Sequence, residues 1–492
     1  MSEAPWPDTP AVRALTARVR EELALLAYPG RAWVLPAART SEEPIHDVVI
    51  VGAGQAALGT ALALKRDGVH DVVLLDRLPA GTEGVWEQFA RMSHLRTPKF
   101  TVGIEGGLPS LSAPAFYRAA YGDQAWASIE RIERTRWMQF LRWFRHAAGI
   151  TVRNNVECVG LNHRAGVIAL AVSEQGLTDN PPTTLLARQV ILATGFDGAG
   201  AWRVPATIEN AVAPERLDHA CRAIDFKKLA GKRVGILGHG ASAFDNACVA
   251  LEHGASSVDV CFRRENIPTI NPHRRLEFAG FLKHFPELDD LTRWRTNHFF
   301  ETFDQPPTQN AWDRAHSHAH FRSHSGSPWL AVVDDGHHVH VSTPRGNFVF
   351  DHIICATGAV VDYEARPELR ALGPLVKRWR HVFAPPSGES SDTLGDYPYL
   401  GPTFEYLPIE AEQNSWVSRV RAFNFSSVVS MGPHTTSASG HKYAIPRLVS
   451  GVTRALMLEQ SAALLPALHA YDEVELKPTV PSASSSVFTA NA

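Results

Sequence analysis

The stretch DVVIVGAGQAALG, residues 47–59, constrains the fold of this chain more than any other. Its apolar run 48–51 is rich in β-branched residues and too short for a helix, and it leads through Gly52, Gly54 and Ala57 into a helical pattern. This order predicts a strand, a tight turn and a helix. In such a unit the first glycine makes the turn, the second lets the backbone approach a pyrophosphate, and the alanine lets helix and strand pack closely. The helix N-terminus then faces the phosphates.

Asp76 ends the next apolar run, 72–75, at the distance of roughly 20 residues that such a nucleotide-binding unit requires. A carboxylate at the end of that strand can accept hydrogen bonds from ribose hydroxyls. The unit is therefore predicted to hold an adenosine whose ribose carries no phosphate. A strand-to-helix turn without a ligand is the alternative, and the strand context together with the acidic residue disfavours it.

The same pattern recurs in RVGILGHGASA, residues 233–243, as an apolar strand, two glycines separated by one residue, and a helix start. The strand pattern that follows ends in Arg263 and Arg264 instead of an acid. Two guanidinium groups at this position suit the 2′-phosphate of NADPH and favour it over NADH. A basic pair that simply faces water is the alternative. The sequence thus predicts a second dinucleotide site within an internal repeat.

Further segments fit a chain that binds nucleotides. Two apolar strand patterns close with Ala-Thr-Gly, at Gly195 and at Gly358, where glycine lets the backbone pass a bound nucleotide closely. The loop GTEGVW, residues 81–86, places glycines beside Trp86, whose indole can cover a flat ring. Hydroxyl and glycine residues at 435–442 precede an apolar helix pattern, which predicts a capped helix N-terminus that favours anions.

The region between about residues 271 and 327 loses its periodicity and is rich in histidine. Alternating histidines could ligate zinc or nickel, but on one strand they would share a face without closing a tetrahedron. We therefore predict no metal site and interpret the region as a long active-site loop, with metal binding as the alternative. The histidines concerned are His284, His298, His316, His318, His320 and His324.

Composition disfavours several classes of function. The formal net charge of −3 gives no argument for nucleic acid or for an anionic membrane as a partner. No apolar run reaches membrane-spanning length, and the N-terminal residues lack the basic and apolar regions of a signal peptide, which predicts a cytoplasmic protein. The five cysteines include no closely spaced pair, so neither a disulfide framework nor a thiolate metal site is expected.

Both glycine motifs, both Ala-Thr-Gly strands and the glycine-tryptophan turn together resemble the class B flavoprotein monooxygenases, over roughly residues 47–459. This family includes flavin-containing monooxygenases, Baeyer-Villiger enzymes and lysine and ornithine N-hydroxylases. The resemblance implies an α/β fold of two Rossmann-like dinucleotide-binding domains, with the NADPH domain inserted into the FAD domain. The implied cofactor residues for FAD are Gly52, Gly54, Ala57, Asp76, Arg77, Trp86, Gly195 and Gly358. Those implied for NADPH are Gly238, Gly240, Ser242, Ala243, Arg263 and Arg264.

The resemblance also implies boundaries along the chain. We expect an N-terminal extension with an amphipathic helix at 1–44 and the first part of the FAD domain at 45–230. The NADPH domain, with its histidine-rich loop, is expected at 231–345. The second part of the FAD domain is expected at 346–476, and a disordered tail at 477–492.

The implied activity is that of an oxidoreductase in which NADPH reduces FAD and oxygen adds to the reduced ring as a flavin hydroperoxide. One oxygen atom then passes to a small polar substrate that contains nitrogen. N-hydroxylation is favoured, because segment 91–99 lies where amino-acid N-hydroxylases carry their own segment after the turn. Arg96, Lys99, His434 and His441 are the predicted catalytic or substrate-binding residues. The predicted partners are this substrate and molecular oxygen, without nucleic acid or membrane.

Four alternatives stay open. A urate-type heterocycle hydroxylase and a Baeyer-Villiger monooxygenase would use the same cofactors, whereas a flavin oxidase would not need the second glycine motif. The fourth is a sensor that binds FAD and NADPH without turnover. Its support is a departure from the family fingerprint before the second unit, where His219 has its place but Ala223 replaces an aromatic residue. A flavin disulfide reductase is disfavoured, because it needs a paired-cysteine motif.

Overall fold

The computed structural model describes residues 5–37, 43–101, 103–175 and 181–478. The predicted tail at 477–492 lies almost entirely outside these residues. The strands are β1 (Ile45–Val51), β2 (Val72–Asp76), β3 (Arg153–Asn154), β4 (Val156–Arg164), β5 (Val167–Glu174), β6 (Thr183–Leu192), β7 (Gly200–Trp202), β8 (Leu217–His219), β9 (Arg233–Leu237), β10 (Ser257–Cys261), β11 (Phe321–His324), β12 (Ala331–Asp334), β13 (Val339–Thr343), β14 (Gly346–Phe350), β15 (His352–Cys355), β16 (Ala359–Val361) and β17 (Val420–Ala422).

Short 3₁₀ turns and fourteen α-helical segments connect the strands in the described ranges. The helices are α1 (Pro10–Leu25), α2 (Gln55–Arg66), α3 (Ala113–Tyr121), α4 (Asp123–Ser128), α5 (Arg134–Ala147), α6 (Ala206–Glu209), α7 (Ala241–Glu252), α8 (Ala279–His284), α9 (Asp290–Phe303), α10 (Gln309–His316), α11 (Asp392–Gly395), α12 (Val428–Met431), α13 (Ala438–Glu459) and α14 (Leu464–His469). None of those found in the described ranges combines the length and apolar character needed to cross a bilayer.

The first sheet has the order β3-β2-β1-β6-β5-β4, and β17 pairs with β6 beside this path. Strands β1, β2, β3, β6 and β17 run parallel, whereas β4, β5 and β6 form antiparallel pairs. The apolar run 48–51 lies in β1 and is buried on both faces, which explains its unbroken hydrophobicity. The predicted strand, turn and helix are therefore confirmed as β1, the glycine turn and α2.

The second sheet has the order β11-β10-β9-β15-β8, with every pair parallel. The chain returns through β16, which pairs with β7, and then adds β17 to the first sheet. The predicted insertion of one unit into the other is thus confirmed. The second sheet begins at β8 and ends at β15, so the boundaries expected at 231 and 345 do not coincide with the ends of the sheet.

The two strand-to-helix turns are structurally equivalent. The amide of Gly52 donates to Leu75 O at 2.7 Å, and the amide of Gly238 donates to Cys261 O at 3.0 Å. Their φ angles of +102° and +140° are rarely adopted by residues with side chains. An added Cβ would lie 2.4 Å from the carbonyl oxygen of Ala193 at the first turn, and 2.5 Å from the corresponding oxygen of Ala356 at the second. Both glycines are therefore required by the protein itself.

The N-terminal helix predicted for residues 9–27 is α1. Thr9 caps it, because its hydroxyl accepts from the amide of Val12 at 3.1 Å. Val12, Val19 and Leu23 are buried against the first unit, whereas Leu26 lies beyond the end of the helix and is exposed. The amphipathic pattern therefore packs this helix onto the body of the protein.

The prediction of a long histidine-rich loop is wrong. Residues 279–316 form three helices, α8, α9 and α10, and β11 then adds an edge strand to the second sheet. The helical period was hidden because these helices are only partly covered: Trp294 is buried in α9 while Phe299 and Phe303 are exposed. No group of three or more potential metal ligands occurs in the described ranges.

Arg188 of β6 ties four segments of the chain together. Its guanidinium donates to Leu35 O and to Asp47, each at 3.1 Å, and to Glu459 at 3.1 Å. The arginine is 2% exposed, so these contacts join the linker after α1, the start of β1 and the end of α13 within the protein interior.

We expect Arg188→Met to lower the free energy of unfolding by about 2–4 kcal/mol, because it removes three hydrogen bonds of a buried guanidinium and leaves the largely covered carboxylate of Asp47 without its partner. Chemical denaturation followed by circular dichroism measures this change. Arg18→Met is the matched control, because it removes an exposed arginine paired with Glu22 and should cost at most about 1 kcal/mol. Equal losses in both variants would contradict the assigned role of Arg188.

Candidate active site

A cavity of about 710 Å³ opens at the carboxyl ends of β1, β2 and β6. Its volume falls in the range of small-molecule and cofactor sites, and it lies where parallel sheets usually place their ligands. The glycine turn after β1, the loop at 81–86 and the start of α13 all contribute to its lining. The cavity therefore gathers segments that are far apart in the sequence.

Asp76 lines this cavity at the end of β2. Its Oδ2 accepts the amide of Ala53 at 2.8 Å, and its Oδ1 accepts the amide of Leu78 at 2.9 Å. Burial raises the pKa of the Asp76 carboxyl, while these two amides act in the opposite direction. Each carboxylate oxygen can accept a further hydrogen bond, so the group remains suited to ribose hydroxyls.

Gly54 provides a test of whether the cavity fits a dinucleotide. Its φ of −68° is open to any residue, and an added Cβ would meet only the Cα of Gly84, at an ordinary 3.7 Å. Neither strain nor protein contact therefore demands glycine here, in contrast to Gly52. Open space above the N-terminus of α2 fits a pyrophosphate, so the residues present are consistent with bound FAD.

Charged side chains surround the part of the cavity near Asp76. Arg77 lies 3.3 Å from Asp197 and 3.9 Å from Glu157. Arg366 pairs with Glu368 at 2.7 Å and with Asp197 at 3.5 Å. Arg77 is predictable from its place beside Asp76, whereas Arg366 and Glu368 are not, because a 3₁₀ turn from a distant segment brings them here and no local motif marks them.

A hydrogen-bond chain fixes the tautomer of His441 beside the N-terminus of α13. The indole N–H of Trp137 donates to Gln55 Oε1 at 3.1 Å, so the amide nitrogen of Gln55 faces His441 Nδ1 at 3.4 Å. Nδ1 then accepts, and Nε2 carries the proton. Burial lowers the pKa of His441 to about 4, so the ring is neutral at neutral pH.

His441 is 1% exposed and lines the cavity, and its Nε2 has no partner among the described residues. It lies in the first turn of α13, where the hydroxyl of Ser437 accepts the amide of Gly440 at 3.2 Å. The predicted capped helix start is therefore present. Together the helix end and the histidine offer unfulfilled donors to a bound acceptor.

Some of the other predicted cofactor residues line the cavity, and others are packed behind it or lie elsewhere. Trp86 and Gly195 line the cavity, the latter with φ +78°. Ala57 is fully buried beneath the helix, as expected of a packing position. Gly358 has φ +79°, but its carbonyl accepts the amide of Arg203 at 2.8 Å, and it does not line the cavity.

The second unit offers an open helix start of the same kind. An added Cβ at Gly240 would meet no atom within 4 Å, and φ there is an ordinary −75°. Phe262 follows β10 at the position that Asp76 has after β2, as the equivalent glycine-turn hydrogen bonds show. The second site therefore lacks the carboxylate that would repel a ribose 2′-phosphate.

The four other predicted NADPH residues belong to two segments, the start of α7 and the turn after β10. Arg263 is exposed, whereas Arg264 is partly buried and donates to Thr302 O at 2.7 Å. Ser242 lies in the first turn of α7, and Ala243 is fully buried under it. The two segments follow the neighbouring parallel strands β9 and β10, and binding of NADPH by these residues stays a prediction.

The predicted catalytic residues lie in different surroundings. Arg96 and His441 line the cavity. Lys99 does not: its ammonium is buried and donates to Trp126 O at 2.6 Å, so the prediction of a substrate contact there is wrong. His434 is buried with its ring 5.3 Å from that of His273, and it stands behind the lining.

His219, the fingerprint residue, is fully buried and stacks on the cavity-lining Trp202 at 5.3 Å. Its Nδ1 accepts the amide of Cys221 at 3.2 Å. Burial, followed by the charge of Arg222, lowers the pKa of His219 to about 4, so this ring is neutral as well. It supports the wall of the cavity from the side of the second sheet.

Comparison with known proteins gives one family match and a full-length relative. The pyridine nucleotide-disulphide oxidoreductase family matches residues 46–362. A FAD-dependent urate hydroxylase of Xanthomonas campestris pv. campestris is 40% identical over 469 residues, which cover 95% of this chain and 98% of the relative.

Solved structures share the fold. The ornithine hydroxylase of Pseudomonas aeruginosa aligns with a TM-score of 0.65 and 14% identity, over 84% of this chain and 100% of its own. An ornithine N-hydroxylase of Kutzneria sp. 744, in a complex with reduced FAD, NADP⁺ and L-ornithine, aligns with a TM-score of 0.63 and 15% identity over 84% and 99%.

We expect Gly54→Val to fold but to lose most of its FAD, because a side chain would fill the open space above the helix start. Gly240→Val is the matched control: it should retain FAD and lose NADPH binding instead. The ratio of FAD to protein in the purified variants, measured by absorbance, checks this result. A yellow, FAD-replete Gly54→Val protein would exclude the proposed pyrophosphate position.

Gly52→Val should behave differently from both variants, because its side chain would collide with the Ala193 carbonyl oxygen at a strained φ. It should fail to fold stably whether or not FAD is added. Circular dichroism of the three proteins distinguishes this loss of fold from loss of cofactor.

Proposed function

The chain belongs to the pyridine nucleotide-disulphide oxidoreductase family, and on that premise we propose that it is an FAD-dependent hydroxylase of urate or of a closely related oxidised purine, with NADPH as reductant. The observation that carries the proposal is the 40% identity to a urate hydroxylase over nearly the whole of both chains. Identity that extends across both lengths supports a shared active site as well as a shared fold.

The resemblance to class B flavoprotein monooxygenases is confirmed, as is the prediction of an oxidoreductase with FAD and NADP as cofactors. N-hydroxylation, which the sequence favoured, stays a prediction. Its support came from N-hydroxylases, and these match at 14–15% identity, which carries only the fold. The heterocycle alternative is therefore preferred. All five cysteines are free, and no two of them have the close sequence spacing of the redox thiol pair in disulphide enzymes.

Specific residues would hold the cofactors. Asp76 and Arg77 would bind the adenosine of FAD, and the open turn at Gly54 would admit its pyrophosphate. The start of α13 and His441 Nε2 would donate to polar edges of the bound groups. When bound, FAD and NADPH supply the redox chemistry that activates oxygen, and the protein supplies orientation and exclusion of water.

The lining of the cavity suits a flat, polar substrate. Phe89, Met92 and Phe425 contribute apolar side chains beside Trp86, and such surfaces can cover both faces of a purine ring. Arg96 adds a planar donor group in the same cavity. A ring with carbonyl and N–H groups around its edge would find apolar contact over its faces and hydrogen-bond donors at its rim.

We expect urate to accelerate NADPH oxidation several-fold and to disappear in equal amount, because a coupled monooxygenase spends one NADPH and one oxygen for each hydroxylation. Absorbance records NADPH and urate, and an oxygen electrode records oxygen. Ornithine, lysine and a cyclic ketone are the comparison substrates. Acceleration by ornithine with no response to urate would replace the proposal with N-hydroxylation.

We expect Arg263→Ala to raise the KM for NADPH about 10- to 100-fold, the effect of a lost hydrogen bond between charged groups. The KM for NADH should change little, because NADH has no 2′-phosphate. Steady-state kinetics with both dinucleotides measure the ratio. A wild-type enzyme that prefers NADH would contradict the assignment of this arginine.

A further inference from the structure

The charged side chains that line the cavity fall into two sets. One set surrounds Asp76, and its two arginines, Arg77 and Arg366, are both paired with lining carboxylates. The other set comprises Arg96 and Arg222, and no lining carboxylate pairs with either within the described ranges. This second part of the lining therefore presents guanidinium groups and no carboxylate to the cavity, which suits an anionic ligand.

Arg96 is held by a carboxylate that the cavity itself does not expose. Its Nη2 lies 3.3 Å from Asp245 Oδ2 in α7, two residues beyond the packing alanine Ala243. Asp245 is only 3% exposed, and burial raises the pKa of its carboxyl, an effect that the charge of Arg96 opposes. The pair joins the segment after the glycine-tryptophan turn to the nucleotide-binding helix of the second unit.

The main chain at Arg96 is also fixed from outside. Its carbonyl oxygen accepts from the guanidinium of Arg131 and, at 3.4 Å, from that of Arg274. Arg131 comes from the loop before α5 and Arg274 from the 3₁₀ turn before α8. Contacts from three segments therefore fix the position of this arginine, whereas a side chain that only faces water needs no such contacts.

The guanidinium of Arg96 retains donors for a ligand. Asp245 contacts Nη2, while Nη1 has no hydrogen-bond partner in the described part of the chain and is not enclosed, unlike Nε. A guanidinium is planar and presents its donors in a fixed fork, so that adjacent acceptors in one plane are bound together. Nη1 can therefore donate to a bound acceptor while Nη2 keeps its contact with Asp245.

We propose that Arg96 is a specificity-determining residue that binds the anionic, carbonyl-bearing edge of the substrate, and that Asp245 is a positioning residue that orients its guanidinium. The identity of the substrate as urate rests on the proposed function. Urate is a weakly acidic heterocycle that is an anion near neutral pH, and its coplanar oxygens and nitrogens match the donor plane of arginine.

Three variants separate the two roles. Arg96→Met removes the guanidinium but leaves Asp245 buried without its partner, so it can also destabilise the fold. Asp245→Asn keeps the arginine and its charge. The double variant removes both charges, which restores electrical balance in the interior. Arg13→Met, at an exposed arginine paired with Asp8, is the control for loss of positive charge.

The measurements are the dissociation constant of urate from the oxidised holoenzyme, by perturbation of the flavin spectrum, and the KM and kcat of turnover. Loss of a charge-assisted contact should weaken urate binding about 10- to 100-fold in the double variant. The KM for NADPH should stay within about twofold, because the dinucleotide-binding residues of the second unit are intact. Asp245→Asn should show a smaller rise in KM, and Arg13→Met none.

A double variant that binds urate as tightly as the wild type would overturn the proposal. So would a rise in KM for NADPH alone, which would make Arg96 a contact of the dinucleotide. Added guanidinium ion should partly restore urate binding to the double variant if the lost contact is the missing side chain, and failure of this rescue together with unchanged FAD content would point to a structural role instead.

Binding of benzoate, a planar anion unrelated to urate, tests the anion site at Arg96 independently of the proposed function. It should perturb the flavin spectrum of the wild type and of Asp245→Asn, and not that of the double variant. If the wild type ignores urate but shows this benzoate pattern, the substrate assignment fails while the anion site at Arg96 stands. Equal benzoate responses in all variants overturn the site, whatever urate does.

Discussion

The site depends on a close contact between each glycine turn and the residue that follows a neighbouring strand, β6 in the first sheet and β15 in the second. The carbonyl oxygens of Ala193 and Ala356 occupy the space that a side chain would need at Gly52 and at Gly238. This contact sets the two central strands of each sheet against the start of its nucleotide-binding helix. The same geometry, built twice, leaves open helix ends in both units and places the cavity beside the first.

The features of this structure that can be predicted from the sequence are those formed by residues close together in the chain. The glycine turn and Asp76 lie within one short unit, so spacing alone located them. Arg366 and Asp245 could not be found in this way, because their partners come from distant segments and only the folded chain joins them. Lys99 shows the opposite error: it is near Arg96 in sequence, yet its ammonium bonds the carbonyl of Trp126.

The prediction of a loop in the histidine-rich region was wrong for a different physical reason. A half-covered helix such as α9 buries few side chains, so its sequence lacks the apolar stripe from which helices are predicted. The histidines themselves serve in local contacts: His324 pairs with Asp259 at 2.8 Å, and Nδ1 of His316 donates to Trp312 O at 2.8 Å. The number of histidines alone therefore raised the alternative of a metal site, but the described residues include no group of potential ligands that could form one.

The insertion of one unit into the other has a consequence for biosynthesis. Strand β17 and helix α13, which complete the first sheet and the cavity, follow the whole second unit in the chain. While the chain leaves the ribosome, the last residues of β6, 190–192, lack their pairing with β17, and the cavity lacks the part of its wall that α13 contributes. At about 5–20 residues per second, this state lasts for the many seconds needed to add the inserted unit. The complete lining of the cavity therefore exists only after α13 has been translated, late in the synthesis of the chain.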